Sequence, residues 1–242
     1  MAETRLLDPR RSTHITVVGR KGSGKTELAH ALFRSYPYDK LLIDPNGDML
    51  VGEDVIRLAD PPPATWPRTK ELEGRLGKAT RHPRYHELYY TPDYGDPAYG
   101  ENIDRALGLA LAKPGEKAVM VDEAHDAFPA AQMVKRPHAR RTLRHLRHHT
   151  MVLIVATPRT MTVDPLMISQ ADWVYVFRLP GPADRRRVAD NIGWTPKAFD
   201  EAVFALSTHE YLRYEAAAND GEGELVHFPP LPRDLIVGHK AA

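Results

Sequence analysis

The stretch Gly19 to Thr26, GRKGSGKT, satisfies the spacing G-x-x-x-x-G-K-[ST]. Residue types in that order serve one kind of chemistry. Glycines let backbone N–H groups approach phosphate oxygens, a lysine adds a movable charge, and the closing hydroxyl can ligate a divalent ion. Lys25 is expected to reach the β- and γ-phosphates of ATP, and Thr26 to ligate Mg²⁺. The nucleotide-binding set is Gly19, Arg20, Lys21, Gly22, Ser23, Gly24, Lys25, Thr26 and the following Glu27. The other half of such a site needs carboxylates. The stretch VMVDEAH places two at the end of an apolar run. Asp122 fits the metal side, and Glu123 is then placed to polarise a water for in-line attack on the γ-phosphate. A glutamate there points to hydrolysis rather than transfer onto a second substrate.

These residues work only if strands and helices bring them together. A phosphate loop must leave a strand and enter a helix, and here HITVV precedes it and ELAHALFR follows. Ile15 to Val18 reads as the strand. Glu27 to Phe33 reads as the helix, with Leu28, Ala31 and Leu32 at helical spacing. KLLIDPNGD gives a strand from Lys40 to Ile43 stopped by a Pro-Asn-Gly turn. Asn102 to Leu111 should be helical, with Ile103, Leu107 and Leu111 on one face. Then come the apolar runs of KAVMVDEAH, MVLIVATPRT and DWVYVFRLP. Continuous apolar strands separated by helices predict a parallel sheet covered on both faces.

The fold class read from this order is α/β, its sheet mostly parallel with helices on both faces; with the phosphate loop and the strand-end Asp-Glu pair it resembles a RecA-like (ASCE-type) P-loop NTPase. Residues 14–180 form the ATPase core, after an N-terminal arm at 1–13. Residues 61–99 hold seven of the 21 prolines and read as an insertion of loop and short helix, with one strand near His86 to Thr91. Residues 181–242 form a small C-terminal extension of helices, a hairpin turning at Asn219, Asp220 and Gly221, and a tail.

Composition limits the function classes. The 33 Lys and Arg nearly cancel the 32 Asp and Glu, so only local clustering can mark a charged partner. With no cysteine, disulfides and thiolate metal sites are excluded. No apolar run reaches the roughly 18 residues of a membrane span, and the start lacks the apolar core of a signal peptide. The expected location is cytoplasmic.

The most biased segment runs from Ala127 to Val163, where seven Lys or Arg occur with no acid. Within it Leu143 and Leu146 should face the core, leaving Arg140, Arg141, Arg144 and His148 outward. Three readings are open: a track for the DNA backbone, a subunit interface, or a solvated helix face. The histidines at 138, 145, 148 and 149 lack partner cysteines or an intervening carboxylate and read as surface residues. The tyrosines of RYHELYYTPDYGDPAYG could stack bases, or be ordinary half-buried aromatics.

Taken together, GRKGSGKT, LLIDPNGD, VMVDEAH, RHHTMVLIVATPRT and ISQADWVYVFRL resemble, in that order, the FtsK–HerA superfamily of ring-forming, DNA-translocating ATPases. The resemblance covers about residues 14 to 190. It implies an ATP-hydrolysing homo-oligomeric ring, hexamer or pentamer, that moves double-stranded DNA. Arg147 matches the arginine that family members project across a subunit interface onto the neighbour's γ-phosphate. Thr157 matches the polar residue before the family's sensor glutamine. That glutamine is replaced by Pro158, which leaves Thr157 or Arg159 as substitutes. Arg178 matches a frequently basic position.

A short, nearly bare motor further resembles the genome-packaging ATPases of membrane-containing icosahedral viruses. That implies a capsid or portal component as partner, and a host-cytoplasmic or virion-associated setting. A cellular or mobile-element HerA/FtsK-like translocase and a nucleotide-dependent assembly switch are the alternatives. The tetrad Asp122-Glu123-Ala124-His125 also resembles DEAH-type helicases, which join two such domains where this length accommodates one.

Overall fold

The computed structural model describes residues 12–49, 51–52, 55–67, 85–216 and 223–235. Most of the N-terminal arm, the middle of the proline-rich insertion, the hairpin turn at 219–221 and the end of the tail lie outside the described residues.

The first strand, β1 (Thr13–Val18), is buried at every residue, as a strand covered on both faces must be. It is followed by α1 (Lys25–Ser35), β2 (Asp39–Ile43), β3 (Ile56–Arg57), β4 (Glu87–Tyr90), α2 (Tyr99–Ala112) and β5 (Lys117–Val121). Next come α3 (Ala124–Ala127), a 3-10 turn (Ala130–Lys135), α4 (Pro137–His145), a second 3-10 turn (Leu146–His149) and β6 (Met151–Thr157). The chain ends with α5 (Leu166–Ser169), β7 (Trp173–Val176), α6 (Pro182–Ile192), α7 (Pro196–Phe204), β8 (Tyr211–Glu215), β9 (Glu224–Phe228) and a last 3-10 turn (Arg233–Leu235).

The nine strands among the described residues share one sheet in the order β3-β4-β2-β5-β6-β1-β7-β8-β9. Pairings from β3 to β7 are parallel, and β7-β8-β9 are antiparallel. The C-terminal hairpin thus continues the central sheet, because β8 pairs with β7. Two-residue β3 carries too short an apolar pattern to be read as a strand. The strand β6 lies between β1 and β5, with Val18 beside Thr157 and Val121 beside Val155. Those registers bring Gly19, Asp122 and Pro158 out at one edge of the sheet.

Alternation along the inner strands splits the core. Val119, Val121, Leu153 and Val155 pack with α2 residues Ile103 and Leu107 and α4 residue Leu143. Ala118, Met120, Val152 and Ile154 face the opposite way, against Leu28, Leu32 and Phe33 of α1. A third cluster joins Val18, Val174 and Val176 to Val188 of α6 and Val203 of α7. Across α4 and the 3-10 turn that follows it, Leu143 and Leu146 are buried while Arg140, Arg141, Arg144 and His148 are exposed. The inward and outward sides agree with the sequence reading, although the α-helix stops at His145 and Leu146 belongs to the 3-10 turn.

At the opposite edge of the sheet, Lys117 is almost fully buried at the start of β5. Its Nζ donates to the carbonyls of Lys113 (2.6 Å), Gly115 (2.9 Å) and His149 (2.6 Å). Burial and the neighbouring Lys113 charge pull its pKa down to about 8. Three carbonyl partners favour the ammonium, since a neutral amine has only two N–H groups.

Candidate functional site

The shape of the loop between β1 and α1 depends on its glycines, as Gly19 and Gly24 show. A Cβ on Gly19 would lie 2.6 Å from both Phe177 Cβ and Ser23 Oγ. Gly24 has φ of +95°, where an L side chain is strained. Gly24 is also the residue before α1, and no side chain caps that helix. The free N–H groups of the first turn, with the helix dipole, therefore face whatever anion the loop holds.

Side chains from two distant segments meet here. Thr26 Oγ1 lies 3.3 Å from each carboxylate oxygen of Asp122, 96 residues further along. Lys25 is buried, with Nζ 3.5 Å from Thr26 Oγ1 and 4.0 Å from Glu123 Oε1. The phosphate-loop residues Lys25 and Thr26 and the strand-end acids Asp122 and Glu123 thus form one constellation, as expected. Arg20, Lys21 and Gly22 are exposed on the loop, Ser23 is buried, and Glu27 is half-buried in the first turn of α1.

Asp122 is only 3% exposed. Burial pushes its carboxyl up to about 6, with Glu123 and Asp44 adding to the rise and Lys25 opposing it. Asp44, at the end of β2, and Asp48 bring further carboxylate oxygens; with one from Asp122 they lie within 4.8 Å of one another. The Asp44 carboxylate accepts from Gly47 N–H (3.1 Å), Met49 N–H (3.0 Å) and Tyr89 Oη (2.8 Å), which is how a fully buried acid is tolerated. A buried carboxyl raised by other acids, next to a hydroxyl, is a hard-oxygen environment that Mg²⁺ fits.

Glu123 has φ 50° and ψ 55°, a left-handed conformation uncommon for a residue with a side chain. It turns the chain directly from β5 into α3. Burial would raise its carboxyl pKa, but contact with His125 and the charges of Lys25, His125 and Lys21 outweigh this and hold it low. His125 Nδ1 approaches Glu123 Oε2 to 3.3 Å without the alignment of a hydrogen bond, and its Nε2 lies 3.6 Å from Asp126 Oδ1. Contact with Glu123 raises the His125 pKa, against burial and the Arg159 charge. Asp126 in turn accepts from Tyr99 Oη at 2.9 Å. A continuous polar chain therefore runs from Lys25 through Glu123, His125 and Asp126 to the start of α2.

Thr157 and Arg147 are placed differently. Thr157 is fully buried, and its hydroxyl is engaged by its own loop, accepting from Arg159 N–H (3.3 Å) and donating to Arg159 C=O (3.1 Å). Its carbonyl accepts from Gly19 N–H at 3.3 Å, so Thr157 supports the loop's first residue. Arg147 stands at the far edge of the sheet, in the 3-10 turn before β6. Its side chain is 80% exposed, with one guanidinium nitrogen 3.5 Å from Asp172 Oδ1.

Sequence reading named LLIDPNGD and VMVDEAH without giving Asp44, His125 or Asp126 a role. Asp44 and His125 stand inside those motifs and Asp126 directly follows the second, which was the available signal. Nothing in the sequence pointed to His209, which reaches the phosphate loop from the segment before β8, with Nδ1 3.2 Å from Ser23 C=O.

No protein-family model matches the sequence, and the comparison with curated proteins found no match. Solved structures do match the fold. The genome-packaging NTPase B204 from Sulfolobus turreted icosahedral virus 2, in complex with ATP-gammaS, superposes with a TM-score of 0.64 at 21% identity, covering 93% of this chain and 100% of that one. The DNA-packaging ATPase B204 from Sulfolobus turreted icosahedral virus gives 0.60 at 20% identity, covering 92% and 100%. VirB4 of Thermoanaerobacter pseudethanolicus gives 0.61 at 13% identity, covering 90% and 89%. The sheet and its helices are those of the P-loop NTPase fold, in agreement with the FtsK–HerA resemblance carried by the motifs.

Proposed function

We propose that this protein hydrolyses ATP with Mg²⁺ and works as an oligomeric motor on double-stranded DNA, in the manner of a viral genome-packaging ATPase. The observation that carries hydrolysis is the meeting of Thr26 with Asp122 at 3.3 Å, with Lys25 and Glu123 alongside. The loop amides and Lys25 bind and orient the phosphates. Thr26 and Asp122 would hold Mg²⁺, which neutralises phosphate charge. Glu123, kept ionised by His125 and Lys25, takes a proton from the attacking water.

The motor reading rests on fold likeness to packaging enzymes, on the exposed arginines of α4, and on the place of Arg147. Seven residues of β6 separate its turn from the phosphate edge, roughly 20 Å at a strand's rise. Its guanidinium serves a neighbour's nucleotide, and a capsid or portal component would anchor the ring.

Mixing tests this. Arg147→Ala and Glu123→Gln are each expected to bind nucleotide without turning it over. Combined, they form interfaces pairing an intact Glu123 with an intact Arg147, and turnover partly recovers. No recovery in demonstrably mixed oligomers would refute a finger in trans. Absence of stimulation by duplex DNA would favour an assembly switch.

A further inference from the structure

The phosphate loop is tied down at its start. Gly19 N–H donates to Thr157 C=O at 3.3 Å and Arg20 N–H to Arg178 C=O at 3.2 Å, fixing it to the ends of β6 and β7. Its later half has a tie of another kind. His209 Nδ1 lies 3.2 Å from the carbonyl oxygen of Ser23, across 186 residues of sequence. A carbonyl can only accept, so Nδ1 carries the proton. The same nitrogen is 3.4 Å from the point where a Gly24 Cβ would sit, so the ring is packed on the loop as well as bonded to it.

The segment that presents this ring is braced. His209 has φ of +65°, a region few non-glycine residues adopt. Ser207 N–H donates to the Glu210 carboxylate at 2.8 Å, and Glu210 N–H donates back to Ser207 C=O at 3.3 Å. His227, on β9, approaches that carboxylate to 3.2 Å. Both strands of the C-terminal hairpin are therefore connected to the turn that touches the loop.

We propose that His209 is a positioning residue that clamps the phosphate loop in its anion-binding shape and couples nucleotide affinity to the C-terminal hairpin. A trans peptide points its C=O and N–H in opposite directions. With the Ser23 carbonyl held by His209, the Gly24 N–H is turned away from the clamp, toward the concave side on which such loops receive phosphate. Without the clamp that peptide can rotate, because Gly24 accepts many conformations. This rests on the loop binding nucleotide, and the experiment separates the two claims.

Two variants suit the unusual backbone. His209→Gly accepts the positive φ and removes the donor. His209→Asn also tolerates it and places an amide N–H where Nδ1–H was. Hydrogen exchange across Gly19 to Gly24 is measured without nucleotide, and affinity with a fluorescent ATP analogue. His209→Gly is expected to speed exchange and weaken affinity about fivefold, the worth of one net hydrogen bond. His209→Asn recovers both. The proposal is overturned if His209→Gly matches the parent in either measurement, or if His209→Asn is as impaired as His209→Gly. Should the parent bind no nucleotide, the site reading falls, and the exchange comparison alone decides whether the clamp exists.

Discussion

Replacing Glu123 by glutamine should do more than stop turnover: it should tighten nucleotide binding. Lys25 Nζ and Glu123 Oε1 are 4.0 Å apart, with side chains 7% and 18% exposed. Two unit charges at that distance attract by about 4 kcal/mol at an effective dielectric of 20. Removing both groups from water offsets much of this, leaving about 1–2 kcal/mol for the pair. A phosphate must draw the lysine away from that carboxylate, so Glu123→Gln removes a competitor worth about 5- to 30-fold in affinity. Calorimetry with ADP isolates the lysine's release. A non-hydrolysable triphosphate adds relief of repulsion between Glu123 and the γ-phosphate, so its gain should exceed that for ADP. Unchanged or weaker ADP binding in Glu123→Gln would refute the idea that the two residues compete in this way.

Three further outcomes follow from other contacts. His14 is buried beside Asp172 and Thr16, and burial lowers its pKa from 6.5 to about 4. It is neutral in the fold and charges in the unfolded chain, so its contribution is intact above about pH 6.5 and lost as pH falls toward 4, up to about 3 kcal/mol in all. Denaturant melts across that range should show the slope, and His14→Gln should flatten it. Lys117→Met leaves three carbonyls without their shared donor and should destabilise by about 2–4 kcal/mol in a urea melt; a loss below 1 kcal/mol would mean water replaces the ammonium. Thr157→Val keeps the shape but loses both bonds to Arg159, and should cost about 1 kcal/mol of stability. Tenfold slower turnover with unchanged nucleotide affinity would place the Pro158–Arg159 loop in phosphate sensing, whereas unaltered turnover would confine Thr157 to support.

The inner half of the molecule was legible because its signals are local. A strand, a glycine-rich loop and a helix are contiguous in GRKGSGKT and its flanks, and Val119 to Val121 declare a buried strand before any partner is known. The carboxylates were visible for the same reason. What could not be read depends on contacts between remote segments. Asp44 appears in sequence as the first residue of a turn; its nearness to Asp122 arises only once β2 pairs with β5. His209 belongs to no pattern, and its bond to Ser23 exists because the chain before β8 returns to the edge from which β1 delivers the phosphate loop. Thr157 illustrates the converse: a polar residue at a strand's end suggests a sensing hydroxyl, yet the local Pro-Arg turn already occupies its donor and one of its two acceptor lone pairs.

One consequence of Lys117 concerns mechanics. Its ammonium grips the carbonyl of His149, and so the turn carrying Arg147, at one end of a strand whose other end opens directly into Asp122 and Glu123. That strand is five residues long, about 17 Å, and is flanked by β2 and β6 through hydrogen bonds on both sides. An extended backbone held in this way neither stretches nor bends easily. If subunits meet at Arg147, a displacement at their boundary travels through main chain as along a push-rod, with no relay of side chains to repack. Such a line tolerates exchange of one apolar side chain for another within β5, but a proline at Val119 would cut it, leaving the boundary and the reacting centre to move independently.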